Sequence, residues 1–248
     1  MTARISNEKV IETENLTKQF GEFIAVKGIS FDVKKGEIFG FLGANGAGKT
    51  TAMKMLIGIS NPSAGSAKVA SFDVAKDSDM VKKSIGYMSQ KFSMYDDLTV
   101  EENITFFGGI YGLSRKKIKS KTQELIAELQ LGNITETRVG ALPLGWKQKL
   151  SFSVSLLHEP KIVFLDEPTG GVDPITRRQF WELIYAEANK GTTIFVTTHY
   201  MDEAEYCDRV SIMVDGVIEA LDSPKNLKQQ FQVASMNEVF LKLARNIE

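Results

Sequence analysis

The chain has 248 residues, 43% hydrophobic and 25% charged, with 30 basic against 31 acidic side chains and a net charge of −1. That composition supports a sizeable folded core, excludes an extensively disordered chain and leaves no global electrostatic case for nucleic acid. A single cysteine, Cys207, excludes an internal disulfide and a cysteine zinc site.

The first residues, Met1-Thr2-Ala3-Arg4-Ile5-Ser6-Asn7, lack the apolar core of a secretory leader. No run approaches the ~18 apolar residues of a membrane helix. A soluble chain is expected, with any membrane part on another polypeptide. Ile29, Phe31 and Val33 alternate with Ser30 and Asp32, which predicts a half-buried antiparallel strand. Lys34-Lys35-Gly36-Glu37 then turns into the apolar run Ile38-Phe39-Gly40-Phe41-Leu42.

The next segment, Gly43-Ala44-Asn45-Gly46-Ala47-Gly48-Lys49-Thr50, is a complete G-x-x-x-x-G-K-[ST] loop between that strand and a predicted helix from Thr51 to Ile57. A triphosphate is a dense array of acceptor oxygens, and successive N–H groups of a glycine-rich loop at a helix N-terminus can surround it. Gly43, Asn45, Gly46, Ala47, Gly48, Lys49, Thr50 and Thr51 are therefore candidate nucleotide contacts. Lys49 would face the β- and γ-phosphates and the Thr50 hydroxyl would ligate Mg²⁺.

Ile85-Gly86-Tyr87-Met88 predicts a short strand. From Leu98 to Leu157 the pattern is helical, with Ile118, Thr122, Leu125 and Leu129 on one face of a helix within Ser114–Leu131 and basic residues elsewhere on it. Strands return at Ile162–Leu165, Thr193–Thr197 and Val210–Val214, and Asp215-Gly216 makes a hairpin turn into Val217-Ile218. Ser235-Met236-Asn237-Glu238 is a capping box opening a terminal helix with Val239, Phe240 and Leu243 on one side. The layout is an α/β core interrupted by a helical insertion.

The four apolar residues Ile162–Leu165 predict a buried parallel strand. Asp166, at its C-terminal end, can hold Mg²⁺ through water, and Glu167 can polarise an attacking water.

In this order the motifs resemble those of ABC transporter ATPase subunits, over nearly the whole chain. Asp166-Glu167-Pro168-Thr169 and Gly171-Val172-Asp173-Pro174 resemble the Walker B and D-loop run. His199 stands where that family has its switch histidine, Gln90 matches its Q-loop glutamine, and Phe20 matches the aromatic that stacks on adenine, with Phe23 as a rival. The resemblance implies that His199 touches the γ-phosphate and that Gln90 reaches Mg²⁺ or water. It implies ATP and Mg²⁺ as ligands.

The departure lies in the signature. The family's Leu-Ser-Gly-Gly-Gln aligns with Leu142-Pro143-Leu144-Gly145-Trp146, so Pro143 replaces the serine and Trp146 the glutamine, while Gly145 and the helix N-terminus remain. In the family this segment caps the γ-phosphate from the opposite subunit, which makes Pro143 and Gly145 candidate contacts to a partner's nucleotide. The D-loop serine is replaced by Gly170. Val172-Asp173-Pro174, Arg177-Arg178, the run from His199 to Arg209 and the terminal Met236–Leu243 are most similar to the drug and antibiotic-resistance exporter branch.

The resemblance implies an α/β P-loop NTPase of the RecA-like type, with an antiparallel β subdomain and an inserted α-helical subdomain. The core would cover 1–90 and 158–230, the helical subdomain 91–157 and a C-terminal helix 235–244. It implies a head-to-tail pair with a second ATPase subunit, as homodimer or heterodimer, and an integral membrane permease as partner. The chain would sit at the cytoplasmic face of the inner or plasma membrane. A non-transport ABC ATPase and a slow ATP-gated dimerisation module are the alternatives. Asn189-Lys190-Gly191-Thr192 lacks the aspartate of the guanine-reading motif.

Overall fold

Six strands in the order β10-β9-β3-β8-β7-β6 form the sheet that carries the chemistry. They are β3 (Ile38–Gly43), β6 (Ile85–Met88), β7 (Ile162–Asp166), β8 (Thr193–Thr198), β9 (Arg209–Val214) and β10 (Val217–Asp222). All neighbours pair in parallel except β10, which folds back on β9 through the turn Asp215-Gly216. The computed structural model describes residues 4–90, 94–129 and 134–245.

A second sheet, in the order β2-β1-β4-β5, is antiparallel: β1 (Lys9–Phe20), β2 (Phe23–Lys34), β4 (Ala64–Val69) and β5 (Phe72–Asp73). The predicted alternation is seen in β2, where Ile29, Phe31 and Val33 are buried. This sheet is the antiparallel β subdomain that the resemblance implies, and the structure adds the pairing of β2 with β1 and the positions of β4 and β5.

Side chains alternate across a strand, so each strand of the six-stranded sheet feeds two cores. Phe39 and Phe41 of β3, Phe164 of β7 and Phe195 of β8 point to the face covered by the antiparallel sheet and α1 (Lys49–Leu56). There Phe31 of β2 lies 5.5 Å from both Phe39 and Phe41, centroid to centroid. Ile38, Leu42, Val163, Leu165, Ile194 and Val196 face the other side. That side is covered by α6 (Pro174–Asn189), α7 (Pro224–Gln230) and α8 (Met236–Arg245). With both faces buried, these strands read as continuous apolar runs.

Between β6 and β7 the chain forms α3 (Val100–Ile110), α4 (Arg115–Glu128) and α5 (Leu144–Ser155) around a core of their own, including Val100, Ile104, Leu125, Leu150 and Val154. A short helix α2 (Ser78–Ser84) precedes β6. Thr99 and Glu102 form a capping box on α3, and Ser114 caps α4. Such caps contribute ~1 kcal/mol each. Ile118, Thr122, Leu125 and Leu129 are buried as predicted; Leu131, the expected end of that helix, lies outside the described residues. Ser235 and Glu238 exchange the hydrogen bonds of the predicted capping box at α8, with Val239 and Leu243 buried and Phe240 partly buried.

Candidate functional site

The loop between β3 and α1 walls a cavity of about 350 Å³ lined by Phe23, Ala25, Asn45, Gly46, Gly48, Lys49, Thr50, Thr51, Gln90 and Glu167. The loop turns at Gly48 with φ of 102°, a left-handed value, and a Cβ there would strike the Ala25 carbonyl oxygen. Gly48 is the N-cap of α1, with no side-chain cap and no acidic residue in the first turn. The positive end of the helix is thus left to an anionic ligand. Gly43 and Ala47 shape the loop through their backbones. Gly43 O accepts from Lys49 Nζ at 2.8 Å, and Ala47 N–H donates to Ala44 O at 3.2 Å.

Three predicted residues converge on one carboxylate. Glu167 Oε2 accepts from Gln90 Nε2 at 2.9 Å and from His199 Nδ1 at 3.0 Å. Glu167 Oε1 lies 3.7 Å from Lys49 Nζ. Adjacent strands explain the meeting: Glu167 follows β7 and His199 follows β8, and the two end side by side with Asp166 opposite Thr197. Glu167 itself has φ of 48°, a left-handed backbone that is uncommon for a residue with a side chain.

Asp166 is buried behind the cavity, where its Oδ1 accepts from Thr197 Oγ1 at 2.7 Å. Burial pushes its carboxyl above the usual range, opposed by the Thr197 hydrogen bond. Burial likewise lowers the Lys49 ammonium from its ordinary value, opposed by Glu167 and Asp166. Tyr87 of β6 is pushed up to about 12 by burial and by the Asp166 charge. A site that sets a buried lysine beside two carboxylates is polarised for a highly charged ligand.

These residues fit a magnesium nucleotide. Thr50, Asp166 and Gln90 offer oxygen donors, which suit Mg²⁺. Among the described residues no group of three or more His, Cys, Asp and Glu side chains could form a metal cage. Mg²⁺ commonly binds through one or two carboxylates together with substrate phosphates.

Phe20 does not line the cavity; Phe23 does. The two are cross-strand partners at the tip of the β1–β2 hairpin, 54% and 66% exposed, and Lys18 Nζ lies 5.2 Å from the Phe20 ring centroid. Pro143 and Gly145 also lie outside the cavity. Pro143 is the N-cap of α5, and its carbonyl accepts from the N–H groups of Trp146 and Lys147. Gly145 packs so closely on α6 that a Cβ would lie 2.5 Å from Thr176 Cγ2. Trp146 packs against the core of its own helical insertion, with Lys149 Nζ 5.2 Å from its ring centroid.

Thr197 is a further residue of the site, unmarked by any motif in the sequence. It donates to Asp166 and its Oγ1 also accepts from the Glu167 N–H at 3.1 Å. Its signal is slight: a hydroxyl near the end of an apolar strand, whose partner only strand register reveals.

The profile of the ABC transporter family matches residues 26–170, more than half of the chain. The chain belongs to the ABC transporter family and carries its ATP-binding domain. It is 49% identical over 223 residues to the "Probable multidrug ABC transporter ATP-binding protein YbhF" of Escherichia coli K12, covering 90% of this chain but only 39% of that protein. The chain thus spans about two fifths of that relative's length. It is 33% identical to the linearmycin resistance ATP-binding protein LnrL of Bacillus subtilis, covering 96% of this chain and 79% of that one. It is 38% identical to the Nod factor export ATP-binding protein I of a Rhizobium strain, covering 93% and 76%. A solved ATP-binding subunit of an ABC transporter superposes with TM-score 0.85 at 26% identity, over 95% of this chain and 99% of that one. No helix among the described residues is long and apolar enough to cross a membrane.

Proposed function

We propose that the chain is the ATP-hydrolysing subunit of an ABC-type exporter, working as a head-to-tail pair at the cytoplasmic face of a membrane through a permease partner. The observation that carries hydrolysis is the convergence of Lys49, Gln90 and His199 on Glu167 beside the glycine-loop cavity. The loop N–H groups and Lys49 would hold the phosphates. Thr50, Asp166 and Gln90 would hold Mg²⁺, which supplies charge neutralisation at the transferred phosphate. Glu167 would accept the proton of the attacking water, and His199 would hydrogen-bond the γ-phosphate. The purine would stack on the hairpin tip, on Phe20 or Phe23. The signature of a second subunit, Pro143 and Gly145 included, would close over the nucleotide.

Export is supported by the names of the relatives, which refer to multidrug transport, linearmycin resistance and Nod factor export. The helical insertion, roughly 91–157, would face the permease. Affinity purification from detergent-solubilised membranes tests the assignment. Co-purification of a polytopic membrane protein, with ATPase activity in the complex, is expected. Recovery with ribosomes or DNA-repair factors alone would overturn it. Pro143 favours a second reading, a slow ATP-gated clamp, because proline at the signature offers neither a hydroxyl nor an N–H. Steady-state turnover in the complex separates the two.

A further inference from the structure

Glu203 is a carboxylate with no part in the proposed chemistry, and it is completely buried. Its Oε1 accepts a hydrogen bond from Thr169 Oγ1 and lies 3.6 Å from Arg177 Nε. Among the described residues, Glu203 Oε2 and Arg177 Nε have no hydrogen-bond partner. An apolar side chain could fill the same volume without the desolvation penalty of a charge. What the carboxylate does instead is join separate segments.

Thr169 belongs to the turn that follows β7 and carries Glu167; Gly170 N–H closes that turn on Glu167 O at 3.1 Å. Glu203 belongs to the short 3-10 turn Met201–Tyr206 that follows His199. Arg177, from the first turns of α6, lays its guanidinium 4.1 Å from the centroid of the Tyr200 ring. The Tyr200 ring lies 4.1 Å from the His199 ring. Arg177 Nη1 also reaches Asp202 at 3.5 Å. On the far side, Gln148 of α5 donates to Gly170 O at 3.1 Å. One buried acid therefore ties the turn bearing Glu167 to the turn bearing His199, and both to α6.

Glu167 needs such a tie. Its left-handed backbone is a sparsely populated conformation for a side-chain-bearing residue and persists only where the surroundings over-determine it. A hydroxyl-to-carboxylate bond is a strong, directional way to set the Thr169 rotor and with it the turn. We propose that Glu203, acting through Thr169 and the Arg177–Tyr200 stack, is a positioning residue that holds Glu167 and His199 in register. The inference rests on the reading of this site as one that hydrolyses ATP.

The chain has two histidines, His158 and His199, which makes the contact observable without turnover. Ring nitrogen-15 NMR of the nucleotide-free protein should show a hydrogen-bonded Nδ1–H for His199. Thr169→Val removes the hydroxyl at nearly constant shape and should abolish that signature. His158, bonded to Ile85 O and stacked on Tyr111, should be unchanged. Under steady state kcat should fall tenfold or more, with KM for Mg·ATP within twofold, and Thr169→Ser should restore both readouts. If Thr169→Val does not fold, Glu203→Gln keeps the shape, removes the charge and carries the same measurements. A folded variant that keeps the His199 signal and kcat within twofold overturns the proposal. So does a parallel loss of ATP affinity and kcat with the His199 signal intact. A wild-type chain that never hydrolyses ATP would sink the proposed function, while the NMR comparison still decides whether the tie exists.

Discussion

Glu167 Oε2 and His199 Nδ1 stand 3.0 Å apart, and Gln90 Nε2 reaches the same oxygen at 2.9 Å. An ionised carboxylate only accepts, so the imidazole proton in this contact sits on Nδ1. An oxygen held by two donors is a poor proton acceptor. In the proposed role of Glu167, at least one of these two contacts would have to loosen before that oxygen could take a proton from water.

Glu167→Gln is expected to leave ATP binding intact and abolish turnover. The amide occupies the same space but cannot take the water's proton, and loss of a general base reduces rate ~10²–10⁴-fold. Trapped ATP should then stabilise a dimer detectable by light scattering. Wild-type turnover in the variant would remove Glu167 from its role.

His199→Ala should lower hydrolysis far more than binding, because its proposed ligand contact is to the γ-phosphate alone. Titration with ADP should give an affinity equal to wild type. A large drop in ADP affinity would mark the histidine as a packing residue at the end of β8.

Lys49→Ala should lose nucleotide binding itself. The ammonium is held by the carbonyls of Gly43 and Ala44 at 2.8 and 3.0 Å and faces Glu167, so it is already in place for phosphates. Calorimetry with Mg·ATP checks this, and retained wild-type affinity would mean that the loop does not hold the phosphates.

Asp166→Asn should raise the thermal stability of the metal- and nucleotide-free protein. The folded-state pKa of Asp166 lies above its ordinary 3.8, with burial as the leading cause. The ionised form therefore destabilises the fold at neutral pH. That penalty is absent below the unfolded pKa, grows as pH rises from the unfolded value to the folded one, and is fully present above it. The Asn variant should melt on the order of a few degrees higher at pH 7, and the gap should close as pH falls toward 3.8. Hydrolysis should be lost, since the site loses a proposed ligand of Mg²⁺. A variant that melts lower at pH 7 would contradict the assignment.

Pro143→Ser is expected to raise turnover. Pro143 is the N-cap of α5 with no side-chain cap, and serine there can bond the N–H of the helix's first turn. In a closed pair the same hydroxyl could instead reach a γ-phosphate, where a hydrogen bond to a charged group is worth ~1.5–3 kcal/mol net. Trp146 packs on the core of its own helical insertion and its N–H donates to the Pro143 carbonyl, which serine retains. Steady-state ATPase at saturating Mg·ATP, alone and with the permease, decides. An unchanged or reduced rate in both settings means the missing hydroxyl does not limit this site.

Much of the molecule was legible in the sequence because the relevant chemistry is local. A glycine loop between a strand and a helix needs contiguous residues, and an apolar strand ending in Asp166-Glu167 announces itself within six positions. Ser235 and Glu238 declare a helix start by spacing alone. What the tertiary structure decided depends on strand order and register, which no local pattern contains. Only with β7 beside β8 does Asp166 meet Thr197, and Glu167 meet His199 thirty-two positions away. Only the hairpin tip shows that Phe23, and not Phe20, lines the cavity. In the sequence Glu203 is one acid among several between His199 and Arg209. Its complete burial against Thr169 and Arg177 exists because two sheet-end turns and a helix fold onto the same point, and the free energy of a buried charge is set by those distant neighbours.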